Sequence, residues 1–222
     1  MKRKNLRGKI LNQKLNQILR HFLFSEKCSL CGQKAEEGNL CFACRKKIEK
    51  NKNLRKRKNV YFLFNYKGDI RQLIIDYKLE GKKNTAFYLS SLMAQEIKDI
   101  IREEKIDVVI PVPISRERYL ERGFNQVALL LDLIGIDYKN IEREKNTIPM
   151  HSLNDKNLRR INIKSAFKIN FITKDKNVLL VDDIITTGTT VDEISKVLET
   201  AGKPKNIFVF ALSAAHTFFE NV

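Results

Sequence analysis

VLLVDDIITTGTT, residues 178–190, runs four apolar residues into two adjacent acids and then sets four threonines around a single glycine. A short apolar run bounded by turn residues reads as a buried strand. The periodic VDEISKVLETAG after it reads as a helix and NIFVFALSA as the next strand. The same order occurs upstream, where IDVVIPVP (106–113) is a buried strand entering a proline-stiffened turn and NQVALLLDLIG (125–135) the helix beyond it. Further out, VYFLF (60–64) is the first strand-like run, DIRQLIIDYKLEG a helix ended by Gly81, and TAFYLSSLMAQEIKDIIREEK a longer helix. Alternation of this kind predicts an α/β fold, a mostly parallel sheet flanked by helices on both faces.

Ligands of open α/β sheets collect beyond the carboxyl ends of the strands, and Asp182 and Asp183 fall at such an end. Thr186, Thr187, Gly188, Thr189 and Thr190 form a loop opening a helix, whose unpaired N–H groups and positive dipole end favour phosphate. Threonine hydroxyls add donors, and Gly188 lets the backbone approach an anion. Paired acids beside an anion cradle describe a sugar phosphate, with ribose hydroxyls on the carboxylates and the 5′-phosphate in the loop. Two plainer readings compete. An apolar run ending in acids resembles a Walker B element, but no G-x-x-x-x-G-K-[ST] exists in the chain. Thr187 or Thr189 also serves as a helix cap, which accounts for one residue and not for six.

All four cysteines lie in CSLCGQKAEEGNLCFAC, as Cys28 and Cys31, then Cys41 and Cys44. Two C-x2-C pairs suit a closed tetrahedral zinc site, each knuckle turning two sulfurs toward one ion, with Gly32 and Gly38 in the turns. The competing reading is a pair of disulfides, which a reducing compartment disfavours. Four sulfurs leave no position for water, so the expected role is structural.

Charge divides the chain. Residues 1–58 hold 18 Lys and Arg against 4 acids, and so carry +14 of the net +16. A field of this strength attracts phosphate polyanions, although Lys-rich surfaces also serve solubility alone. Before the cysteines, Ile10, Leu11, Leu15, Ile18, Leu19, Phe22 and Leu23 recur at helical spacing. RKKIEKNKNLRKRKN (45–59) reads as a helical or irregular linker. No run of 18 apolar residues occurs and the amino terminus lacks a secretory h-region, so no membrane span and a cytoplasmic location are expected.

YKGDIRQLIIDYKLEG (66–81), IPVPISRERYLERGFNQ (110–126), REKNTIPMHSLNDKNLRRINIKSAF (143–167) and the VLLVDDIITTGTT block resemble, in that order, the ComF family of competence-associated proteins. The last block by itself is similar to the phosphoribosyl diphosphate motif of type I phosphoribosyltransferases. The resemblance implies a small four-cysteine zinc module before a type I phosphoribosyltransferase-like domain. The expected division is an amphipathic helix over 1–24, the module and basic linker over 25–59, and the phosphoribosyltransferase-like domain over 60–222. It further implies phosphoribosyl diphosphate as ligand, with Mg²⁺ bridging diphosphate and ribose oxygens. Ser115, Arg116 and Arg118 would then face the diphosphate from a loop, Arg122 would start the next helix, and Lys78 would be a further phosphate contact. For the arginines the plainer alternative is surface salt-bridging with Glu117 and Glu121.

The resemblance implies that catalysis would fall to Asp182, Asp183, Arg116 and Arg118, with protein groups stabilising the leaving group and orienting the acceptor, and with the two aspartates binding ribose hydroxyls and not acting as nucleophiles. Arg159, Arg160 and Asn162 would close over the ligand. Met150, where the family carries Gln, and a one-residue length difference near Asn157 depart from the pattern. His21, His151 and His216 are scattered and read as structural. The resemblance also implies single-stranded DNA as partner in natural transformation, together with other DNA-uptake proteins. Phe42 is read either as core or as a base-stacking ring, and Arg55, Lys56, Arg57 and Lys58 as the nucleic-acid contact. The alternative function is an active phosphoribosyltransferase with a nitrogenous acceptor.

Overall fold

The computed structural model describes residues 27–35, 39–79, 83–143 and 167–220. The amphipathic segment over 10–23, Gly38, Gly81, Met150, Asn157, Arg159, Arg160, Asn162, His21 and His151 lie outside these residues.

The described chain builds a sheet in the order β1-β2-β7-β6-β3. Its strands are β1 (Arg55–Arg57), β2 (Val60–Asn65), β3 (Val108–Pro111), β6 (Asn177–Ile185) and β7 (Asn206–Ala214). The pairs β2–β7, β7–β6 and β6–β3 are parallel, and β1 adds an antiparallel edge. A separate two-stranded ribbon joins β4 (Glu142–Arg143) to β5 (Phe167–Lys168). The predicted α/β fold and its mostly parallel sheet are therefore present.

Strand side chains alternate between faces, and this sorts the core. Leu63, Leu179, Val181, Phe208, Phe210 and Leu212 face one cluster, shared with α1 (Phe42–Asn51), α2 (Gly68–Leu79), α3 (Lys83–Glu103) and α5 (Gln126–Ile134). Phe62, Ile110, Val178, Leu180, Val209 and Ala211 face the other, covered by α6 (Thr189–Val197), a π-helical turn over Leu198–Gly202, and Phe218 of α7 (His216–Glu220). Both faces need a helical cover because parallel strands are apolar on both sides.

The stretch read as a linker is ordered in two ways. Residues 42–51 form α1, whose Ile48 is buried, and residues 55–57 pair with β2 to extend the sheet. The segment after PVP, expected as a loop, is helical. Ser115 caps α4 (Arg116–Arg122), its hydroxyl accepting from the Arg118 N–H at 3.4 Å, and Gly123 closes it at φ +78°. Arg122 therefore ends α4 and does not start the next helix. That helix is α5, capped by Asn125, whose side-chain oxygen accepts from Val127 N at 2.9 Å and Ala128 N at 3.3 Å. Gly123 decides the break because a left-handed residue cannot continue a helix.

Candidate ligand site and metal centre

The site forms where neighbours of β6 end at different heights. On one side β7 pairs with β6 as far as Ile185. On the other, β3 pairs only to Val181, where the Val112 N–H makes the last bond at 2.8 Å. Pro111 and Pro113 have no N–H to continue the ladder. Asp182 and Asp183 thus overhang the end of β3 while still within β6.

Period-two alternation sends the two acids to opposite faces. Asp183 points to the α2–α5 side and is 3% exposed. Its Oδ1 accepts from the Lys78 ammonium at 2.8 Å, and its Oδ2 from the Gln126 amide at 3.0 Å. Gln126 Oε1 in turn accepts from Arg122 at 3.0 Å, and its backbone carbonyl from the Tyr77 hydroxyl at 2.7 Å. Each residue of RGFNQ has a distinct local task. Arg122 holds Gln126, Gly123 ends α4, and Phe124 tilts against Tyr77 at 6.2 Å. Asn125 caps α5 and also donates to Val112 O at 3.0 Å. Gln126 binds the buried acid. Sequence reasoning assigned only Arg122 of these; the signal for Gln126 and Asn125 lay in the same motif.

Asp182 faces the α6 side and is half-buried, one carboxylate oxygen accepting from the Asp183 N–H at 2.8 Å. Burial, and then the neighbouring Asp183 charge, push its carboxyl up to about 7. It lines one pocket together with the Thr186–Thr190 loop and Val191. Gly188 takes the N-cap position of α6 at φ +83°, where glycine is favoured and no side chain is available to cap. Within the first turn of α6 the Thr189 N–H donates to Thr187 Oγ1 at 3.5 Å, and Thr189, Thr190 and Val191 all line the pocket. The Thr187 and Thr189 hydroxyls stand 2.8 Å apart beside it, and the loop is tied back by Thr217, which donates to Thr186 O at 2.9 Å. An acid, threonine hydroxyls and the first turn of a helix therefore line one concavity, a chemistry suited to an anion next to a polyol.

The structure brings together Asp182 and Thr186 through Thr190, all predicted for one site. Ser115, Arg116 and Arg118 lie on α4, which follows β3, and do not line that pocket. Lys78 and Arg122 are engaged with Asp183 and Gln126.

The four cysteine sulfurs lie within 4.8 Å of one another, and none is in a disulfide. The first knuckle closes through Gly32 N to Cys28 O at 2.8 Å with Gly32 at φ +73°, and Cys44 enters from the first turn of α1. Burial opposes ionisation of Cys28, but N–H groups of Cys41, Cys31 and Leu30 outweigh it and bring the thiol down to about 6. Burial and the other sulfurs push Cys44 the other way. A cluster in which one thiolate hinders the next is stabilised by a cation at its centre, and the donor set fits a tetrahedral thiophilic metal.

Of the basic run 55–58, Lys58 is exposed in the turn between β1 and β2, and the other three side chains are held against the fold. Arg55 lies 4.5 Å from the Phe62 ring and donates to Asn65 at 2.8 Å. Lys56 pairs with Glu104 at 2.8 Å, and Arg57 donates to Phe219 O at 3.0 Å.

Fold and site together define a protein of the phosphoribosyltransferase class, and the Phosphoribosyl transferase domain model matches residues 78–216. With the four-cysteine cluster ahead of that domain, the chain belongs to the ComF competence family. It is 30% identical over 151 residues to competence protein ComFC of Streptococcus pneumoniae, covering 68% of this chain and 66% of that protein. It is 30% identical over 181 residues to DNA utilization protein YhgH of Escherichia coli O157:H7, covering 77% of each. Competence protein F of Haemophilus influenzae is 34% identical over 139 residues, 57% of this chain and 60% of that protein. Among solved structures, adenine phosphoribosyltransferase from Saccharomyces cerevisiae aligns with a TM-score of 0.39 at 17% identity, covering 81% of this chain and 92% of that one. Among the described residues, no helix is long and apolar enough to cross a membrane.

Proposed function

We propose that this chain binds phosphoribosyl diphosphate at the carboxyl end of β6 and takes part in handling single-stranded DNA during its uptake. The observation that carries the reading is the shared pocket of Asp182 and the Thr186–Thr190 loop. In it the loop and the N-terminus of α6 hold the 5′-phosphate, and Asp182 accepts from the ribose hydroxyls. Asp183 acts from the other face, fixing Lys78 and Gln126 behind the site. Mg²⁺ carried in by the ligand would supply neutralisation of diphosphate charge. Ser115, Arg116 and Arg118, on α4 just past the end of β3, supply donors toward the diphosphate end. Cys28, Cys31, Cys41 and Cys44 hold one Zn²⁺ with a structural role. The DNA role rests on the named relatives, which include a competence protein and a DNA utilization protein, and on the +14 amino-terminal charge.

Calorimetric titration with phosphoribosyl diphosphate tests the reading. Saturable binding strengthened by Mg²⁺ is expected, and absence of binding in both conditions overturns it. A second reading, transfer of the phosphoribosyl group to a nitrogenous acceptor, is favoured by the exposed Arg116 and Arg118 beside the overhang. Release of diphosphate on addition of purine or pyrimidine bases is its measurement.

A further inference from the structure

Arg55, Lys56 and Arg57 are held in place at the sheet edge, and further charge lies elsewhere in the amino-terminal third. Residues 27–54 carry seven Lys and Arg against three Glu. Four thiolates around one divalent ion would remove about two units and leave the region positive.

Within it, Phe42 opens α1 and is 58% exposed, although it adjoins the cysteine cluster. The Lys46 ammonium, one turn on, stands 5.2 Å from the Phe42 ring centroid. Lys50 follows one turn further, so ring and cations share an i, i+4, i+8 stripe. Both lysines are exposed. Lys47, off the stripe, is paired with Asp69 at 2.8 Å. A second exposed ring, Phe87, is 60% accessible near the start of α3. The Tyr88 hydroxyl donates to Arg45 O at 3.3 Å, and Lys52 pairs with Glu96 at 2.6 Å. These two contacts set α1 and α3 side by side in the same direction, so Phe42 and Phe87 stand at the same end of the pair.

A ring whose immediate neighbour along the helix is an ammonium group differs from an apolar protein-binding patch, in which apolar groups are contiguous and charge lies at the rim. Unpaired bases present open π-faces for such a ring, and the phosphates joining them suit the lysines. We propose that the Phe42–Lys46–Lys50 stripe, with Phe87 at the same end of the helix pair, is a docking surface for single-stranded nucleic acid. The inference rests on the reading of single-stranded DNA as a partner and assigns that partner to α1 and α3, away from the β1 cluster.

Binding of the full-length, zinc-loaded protein to a labelled oligothymidylate, followed by anisotropy at several salt concentrations, tests it. Phe42→Ala is expected to weaken binding about tenfold, with Phe42→Tyr close to wild type and Phe42→Leu as weak as alanine. Replacing Lys46 and Lys50 together by Gln should lower the salt slope by about 1.4, the sum for two single-strand phosphate contacts. Binding to a duplex, whose bases are already stacked, should be indifferent to Phe42→Ala. Zinc content and thermal midpoint serve as folding controls, since Phe42 is largely exposed. Unchanged single-strand affinity in Phe42→Ala, or full affinity in Phe42→Leu, overturns the proposal; the second outcome marks an apolar protein contact. Failure of the wild-type chain to bind the oligonucleotide at all overturns the underlying partner assignment instead.

Discussion

Asp182 and Asp183 are neighbours in sequence and opposites in environment, and the difference separates their variants. Asp182 meets the threonine pocket, whereas Asp183 is clamped by Lys78 and Gln126 beneath it. Asp182→Asn is expected to weaken phosphoribosyl diphosphate binding at least about tenfold with little change in thermal midpoint, as one charge-assisted ligand contact is lost. Asp183→Asn leaves Lys78 facing a neutral amide at a site where its side chain is 20% exposed. A loss of about 2 kcal/mol of stability follows, read as a fall of about 4–8 °C in melting temperature. The pH dependence belongs to Asp182. Its carboxyl is raised to about 7 by burial and then by Asp183, so between its unfolded value near 4 and 7 the folded chain holds a proton that the unfolded chain has released. Stability from this group is therefore greatest at the acid end and is lost as pH rises through 7. Ligand affinity runs the other way, because the anion is the stronger acceptor of ribose hydroxyls. Affinity should rise between about pH 6 and 8 in wild type and rise less in Asp182→Asn, where only the ligand phosphate, with its own pKa near 6, still titrates.

At the scale of elements, β1 shows how a charge run serves packing. Arg55, Lys56 and Arg57 pair with β2, stack on Phe62, Tyr61 and Phe219, and bond to Asn65, Glu104 and the Phe219 carbonyl. Charge at a sheet edge also discourages pairing with another chain. Arg55→Ala is expected to cost about 1–2 kcal/mol through its stacking and hydrogen bonds, measured by thermal or denaturant unfolding, with a smaller effect on oligonucleotide affinity than Phe42→Ala. Helices α4 and α5 make a related point. The run SRERYLERGFNQ contains two caps, Ser115 and Asn125, and one stop, Gly123. All three are visible as residue types, yet the proline pair ahead of them favours a loop reading, and so Arg122 was expected one helix too late.

Across the whole molecule, the cysteine cluster and the sheet share a core. Cys28, Leu40, Cys41 and Ile48 are buried in the same cluster as Leu63, Leu89 and Phe210. Metal removal is therefore expected to lower the main unfolding transition itself, without a separate early step for the cysteine segment. Calorimetric scans with and without a strong chelator measure this; an unchanged main transition would detach the cluster from the core.

The amino-acid sequence by itself determined the α/β alternation, the mostly parallel sheet, the four-cysteine cluster and the threonine loop that follows Asp183. Each of these is written in periodicity or in spacings of a few residues, where local propensity and side-chain direction suffice. Only the tertiary structure decided which acid meets the pocket, that Lys78 and Arg122 brace Asp183 and Gln126, and that the basic run at 55–57 belongs to the sheet edge. Those outcomes depend on partners far along the chain, 105 residues for Lys78 with Asp183, 57 for Gln126 with Asp183 and 48 for Lys56 with Glu104. Such pairs are selected by the packing of whole helices against the strands, which no short window of residues contains.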